Sequence, residues 1–150
     1  MAVFAATKAL TRSGTLPLPA SGWVYWYAPQ GSELAPFGIV APATGDRMHA
    51  VRLSDWNTGK LVAVVTVRRG ERAKTSVPLG MYQLTLASGD HWYGPEKLFG
   101  FWGNERKATS PMHFYRTPTG TTGIDIDLAD RLNGNLQTRP VTPLDRLDRK

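Results

Sequence analysis

A chain of 150 residues, 41% apolar and 20% charged, has the composition of one folded domain rather than of a disordered segment. At this length it can bury roughly two thirds of its unfolded surface. Eighteen basic against twelve acidic residues give a net charge of +6, which permits contact with phosphate and is equally ordinary for solubility. The absence of cysteine excludes disulfides and thiolate chemistry, and no run approaches the roughly 20 apolar residues of a spanning helix.

Residues 1–10 are apolar but contain Lys8 and lack a basic stretch ahead of them, a poor match to a secretory signal. A short helix or a docking arm is expected there, and a cytoplasmic or virion-associated protein rather than a secreted one. Residues 11–22, with Pro17, Pro19 and Gly22, read as an extended linker. The chain thus divides into a flexible arm and linker (1–21), a β-domain (22–130) and a tail (131–150).

Trp23 to Tyr27 consists of β-forming residues with no polar face, so the strand is either buried on both sides, the favoured reading, or exposes a sticky face. Residues 28–46 are broken by prolines and glycines, leaving room for a brief strand at Ile39–Val40. From Arg47 to Ser54 the chain alternates, with Val51 and Leu53 inward and His49 at the rim of the core. Asn57-Thr58-Gly59 is a hairpin loop in which Gly59 takes the left-handed conformation. Leu61–Val67 is continuously apolar, as in a central strand covered on both faces.

Arg69-Gly70-Glu71 turns this strand back into Lys74–Val77, and Pro78-Leu79-Gly80 makes the next turn. Tyr82, Leu84 and Leu86 then point inward. Lys97 to Gly103 is too rich in glycine for a long strand. Met112–Arg116 and Ile124–Leu128 read as further strands separated by a turn at Gly120–Gly123, and the tail from Asn133 is expected to fray. The sum is an all-β, antiparallel β-sandwich of roughly seven to nine short strands with an extended N-terminal arm and a frayed C-terminal tail.

Asp55-Trp56-Asn57-Thr58-Gly59-Lys60, the strand Val62–Val67, and Val77-Pro78-Leu79-Gly80-Met81-Tyr82-Gln83-Leu84 together resemble the prealbumin-like sandwiches of the Cna-B and carboxypeptidase-regulatory type. The resemblance covers Leu53 to Ala87 and implies a spacer, adhesion or docking role instead of catalysis. Cna-B domains often carry a Lys–Asn crosslink. Trp23–Tyr27 and Arg47–Ser54 hold no lysine, so none is expected here. Val77 to Gly100 is also similar to uncharacterised bacterial proteins sharing VPLGxYxLxxASGDxWYGxExLFG, from which no activity carries over.

Motifs for zinc peptidases, serine hydrolases and nucleotide binding are missing, and His49, His91 and His113 are too dispersed in sequence to form a ligand pair. No enzyme activity, cofactor or metal is expected. Lys60, Arg68, Arg69, Arg72 and Lys74 face only Glu71 in their stretch, and at a hairpin tip they would meet nucleic acid; the alternative is that they protect strand edges. Asp90, His91, Trp92, Tyr93, Phe99, Phe101 and Trp102 lie in a glycine-bent loop, 88–103. There they can anchor a protein partner, or plug the open end of the sandwich. The favoured reading is a structural or interaction module acting on a protein partner or by self-assembly.

Overall fold

The computed structural model describes residues 14–128 and, for the backbone alone, 138–140. The expected N-terminal helix or docking arm, and most of the tail, lie outside these residues. The described chain forms β1 (Val24–Trp26), β2 (Leu34–Val40), β3 (Met48–Asp55), β4 (Leu61–Arg68), β5 (Arg72–Pro78) and β6 (Gly80–Gly89). There follow β7 (Asn104–Ala108), β8 (Met112–Phe114), β9 (Arg116–Thr117), β10 (Gly120–Thr121), β11 (Ile124–Asp127) and β12 (Thr138–Pro140).

Two packed sheets make an all-β sandwich. The larger runs β1-β4-β3-β6-β7-β12, with β8 added to β6; the smaller runs β11-β2-β5, and β9 and β10 form a separate ribbon. Pairing is antiparallel except that β11 runs parallel to β2. Phe37, Ile39, Val77 and Ile126 from the small sheet meet Val51, Leu53, Val65 and Leu84 from the large one. Phe37 and Phe114 pack edge to face across this core, centroids 5.8 Å apart.

β3 and β4 are central because both their faces find cover. Val51 and Leu53 enter the main core, and Met48 and Ala50 on the opposite face of β3 enter a second cluster. The half-buried strand expected at 47–54 is therefore buried on both sides. Leu53 of β3 pairs with Ala63 of β4 but Ser54 pairs with Leu61, so Val62 is an extra residue in β4. This bulge lets Val62 and Ala63, though consecutive, both enter the main core. The β3–β4 loop is tied by the Asp55 carboxylate, which accepts the N–H groups of Asn57 (2.9 Å) and Thr58 (2.8 Å), while Gly59 sits at φ 77°.

Several expectations change. The aromatic strand is an edge: β1 pairs only with β4 and is half-buried, Val24 and Trp26 touching the main core and Tyr25 the second cluster. The brief strand at 39–40 is the end of the seven-residue β2. Pro36 is tolerated because β11 pairs β2 only from Phe37 onward, so the missing N–H falls outside that ladder. Arg69-Gly70-Glu71 does not close a hairpin, since β4 lies in the large sheet and β5 in the small one. Pro78-Leu79-Gly80 crosses back again, held by the Tyr82 hydroxyl donating to Pro78 O at 2.6 Å.

The end segments also differ from a flexible linker and a wholly frayed tail. Residues 14–21 are strapped to the domain: Leu16 N–H donates to Trp92 O (2.7 Å), and Arg68 Nε and Nη2 donate to Pro19 O and Leu18 O (each 2.9 Å). The Thr66 hydroxyl donates to Ala20 O at 3.0 Å. Within the tail, β12 pairs with β7. Among the described residues no helix is long and apolar enough to cross a membrane.

Candidate functional site

The aromatic loop is the excursion between β6 and β7, antiparallel neighbours joined through residues 90–103. Tyr93 N–H donates to Leu98 O (2.8 Å) and Leu98 N–H to Gly94 O (2.7 Å), so the chain folds into a compact loop closed on itself. It lies on the outer face of the large sheet, away from the small one. There Trp92, Leu98 and Phe99 cover Met48, Ala50, Val64 and Ala87, and Leu18 and Tyr25 close the margin.

The structure divides the seven candidate residues. Trp92 is 1% exposed and Phe99 2%, their ring centroids 5.1 Å apart. These two are anchors of the second core, which corrects their assignment as contact residues: an open hydrophobic sheet face needed cover, and the largest rings supplied it. Phe99 is gripped from both ends of the loop. A Cβ on Gly89 would lie 2.7 Å from Phe99 Cβ, and one on Gly103 would collide with the same atom. Leu98, wholly buried, takes φ 57°, a strained value for a branched residue that surrounding packing holds in place.

Phe101 and Trp102 face outward, 57% and 74% exposed, with centroids 5.1 Å apart at 87°. Tyr93 is half-buried beside Gly100. Asp90 and His91 are exposed, and Asp90 Oδ1 accepts Arg47 N–H at 3.0 Å, fixing the start of the loop to the β2–β3 connection. The loop is therefore a plug on its inner side and a display on its outer side.

Of the basic set, Arg68, Arg69, Arg72 and Lys74 flank the β4–β5 connection, and Lys60 is separated from them. Lys60 lies at the opposite end of β4 from Arg68, about 25 Å away at strand rise. Arg68 is spent on the carbonyls of Leu18 and Pro19, and Arg69 Nη1 donates to Gly45 O at 2.9 Å. Arg72 and Lys74 stand exposed on β5 of the small sheet. The hairpin tip on which the nucleic-acid alternative depends is absent from the described residues.

His91 and His113 also stand apart: β8 pairs with the Gly80–Tyr82 end of β6, whereas His91 follows its Gly89 end. No group of three or more His, Asp or Glu residues suited to a metal occurs among the described residues.

Sequence reasoning missed a polar recess at the rim of the main core. His49 is half-buried there, as its place in the alternation implies, and pairs across the ladder with Ser88, which pairs in turn with Asn104. The Ser88 hydroxyl donates to Asp46 Oδ2 at 2.6 Å and Asn104 Nδ2 donates to the same oxygen at 3.2 Å. The Ser88 proton is thus directed at a carboxylate, unlike a nucleophile whose proton is aimed at an imidazole. The residues come from four segments spread over some sixty positions, so no local motif marks them; only the β3–β6–β7 register assembles them.

No family model matches the chain, and neither a curated protein nor a solved structure resembles it significantly.

Proposed function

We propose that this protein is a non-catalytic interaction module that docks a protein partner, or a second copy of itself, through the outer half of loop 90–103. The observation carrying this reading is that Phe101 and Trp102, packed on each other, are exposed on the same loop whose Trp92, Leu98 and Phe99 are buried in the second core. A rigid support lets large rings bury area at little entropic cost, which is how aromatic anchors dominate interfaces. Contiguous exposed apolar surface of this kind is what marks interaction sites.

The prealbumin-like resemblance of Leu53–Ala87 accords with a spacer or docking role. An arm at residues 2–10 that clasps neighbouring subunits lies outside the described residues; residues 14–21, which follow it, are held to their own domain. Nucleic-acid binding finds less support, because Lys60 stands apart from the other four basic residues and Arg68 and Arg69 bond backbone carbonyls.

The test is sedimentation velocity of the pure protein together with quantitative recovery of co-purifying proteins, for wild type and Phe101→Ala/Trp102→Ala. Self-association or a retained partner should disappear in the variant without change in the unfolding midpoint. Association that persists with both rings removed would defeat the proposal.

A further inference from the structure

Phe101 and Trp102 occupy the two central positions of a four-residue turn, closed by Gly103 N–H donating to Gly100 O at 3.3 Å. Each end of that turn rests on a different ring of the same loop. At the far end, a Cβ on Gly103 would collide with Phe99, which is fixed in the second core. At the near end, a Cβ on Gly100 would lie 3.0 Å from Tyr93 Cε2 and 3.1 Å from Cδ2, and Gly100 takes φ 69°. Only glycine suits both the approach and the backbone there, and Tyr93 is the support that adjoins the two exposed rings.

Tyr93 differs from Phe99 in what holds it. Its ring is half-buried, and the edge turned away from Gly100 faces the strap, where a Cβ on Gly14 would lie 3.8 Å from Tyr93 Cδ1. The strap also grips the residues on either side of Tyr93. Leu16 N–H donates to Trp92 O at 2.7 Å, and a Cβ on Gly94 would lie 3.7 Å from Leu16 Cδ1. Tyr93 is thus a spacer between the strap and the turn that displays the rings. At this end the strap is held by one isolated bridge, Leu16 with Trp92, and Leu16 is 44% exposed. The bonds from Arg68 and Thr66 grip Leu18, Pro19 and Ala20 further along. Residues 14–16 can therefore part from the loop while the rest of the strap stays bound, a local opening that leaves the domain folded.

We infer that Tyr93 is the positioning residue of the docking pair, and that residues 14–16, acting through it, set the affinity of Phe101 and Trp102 for their partner. With the strap closed, Tyr93 is clamped between Gly14 and Gly100, and the turn holds one conformation, so its rings bury area without first being ordered. With the strap open, Tyr93 is free to turn, Gly100 loses the ring it packs against, and the cost of ordering the turn falls on docking. The coupling is reciprocal, so an occupied pair holds the strap closed. This deepens the docking reading and rests on it, adding the regulation of the same site.

The experiment compares wild type, Leu16→Pro, Tyr93→Ala and Tyr93→Phe as full chains, by backbone NMR order parameters and by sedimentation velocity. Leu16→Pro removes the bridging N–H at an exposed position, and Tyr93→Phe keeps the ring. Order parameters of residues 100–103 should stand near about 0.85 in wild type and Tyr93→Phe. They should fall below about 0.6 in Leu16→Pro and Tyr93→Ala, with those of β3 and β4 unchanged. Association should weaken about fivefold or more in the same two variants and keep its wild-type strength in Tyr93→Phe. Wild-type order parameters in Leu16→Pro and Tyr93→Ala overturn the inference, as does undiminished association in a variant whose turn has loosened. Should Tyr93→Ala loosen β3 and β4 as well, Leu16→Pro decides. The docking reading fails by a different result, association that survives Phe101→Ala/Trp102→Ala, and the order parameters then still decide whether Tyr93 holds the turn.

Discussion

Trp92 and Trp102 belong to one short loop, yet one is core and the other surface, and the difference is energetic as well as geometric. Truncating Trp92 opens a large cavity between Tyr25 and Phe99, so Trp92→Ala should cost about 3–5 kcal/mol in urea unfolding. Gly103→Ala should cost about 1–3 kcal/mol by the same measurement, since its methyl must displace Phe99 in a filled core. Nothing in the local sequence separates these rings. Trp92 and Trp102 both neighbour aromatic residues and glycines, and only the second, outward face of the large sheet decides which ring is needed as cover. At Asp55, by contrast, the local residues were sufficient: an Asx-type turn at Asp-Trp-Asn-Thr-Gly follows from side-chain reach alone.

The same turn carries a pH dependence. The Thr58 N–H, and behind it the Asn57 N–H, holds the Asp55 carboxyl below its ordinary value of 3.8. A folded-state value lowered in this way contributes stability above the unfolded value, which is lost as pH falls through the folded one. Wild type should therefore lose stability below pH 3.8 more steeply than Asp55→Asn, whose amide oxygen still accepts the turn hydrogen bonds. Urea midpoints measured across that acid range test this; parallel curves would remove Asp55 from the acid transition.

Among the elements, those whose alternation or apolar run is uninterrupted were legible: β3, β4, β6 and β11 fall where the pattern puts them. β2 was hidden by Pro36 and Gly38. β7 was hidden by its polar composition, Asn-Glu-Arg-Lys-Ala, although Glu105 within it is buried. The sheet to which a strand belongs was not legible either. A short turn such as Arg69-Gly70-Glu71 serves a hairpin or a crossing between sheets equally well, and long-range pairing of β5 with β2 makes the choice. The segment 14–21 shows the converse, a linker-like composition ordered by partners far along the chain. Removing residues 1–21 should cost about 2–4 kcal/mol, through exposure of the second core and loss of the hydrogen bonds to Arg68, Thr66 and Trp92. Urea unfolding of the shortened chain reads this directly, and an unchanged midpoint would return the segment to linker status.

Over the whole molecule, one sandwich supports two outer features. The large sheet is covered on its inner face by the small sheet and on its outer face by loop 90–103 with the strap from 14 to 21. The polar recess with Asp46, Ser88 and Asn104 lies at the rim of the inner core, and it and the outer loop both depend on the β3–β6–β7 register. The sequence alone announced an aromatic loop but left open whether it plugs or displays. The described structure assigns the two roles to different rings, and the proposed function rests on that division.

Urea unfolding of Phe101→Ala/Trp102→Ala beside wild type tests this division most directly. If these rings are displayed on a platform that does not need them, the double variant should stay within about 1 kcal/mol of wild type with an unchanged slope. A loss above about 3 kcal/mol would show both rings to be part of the core, and would contradict the account of an exposed docking pair.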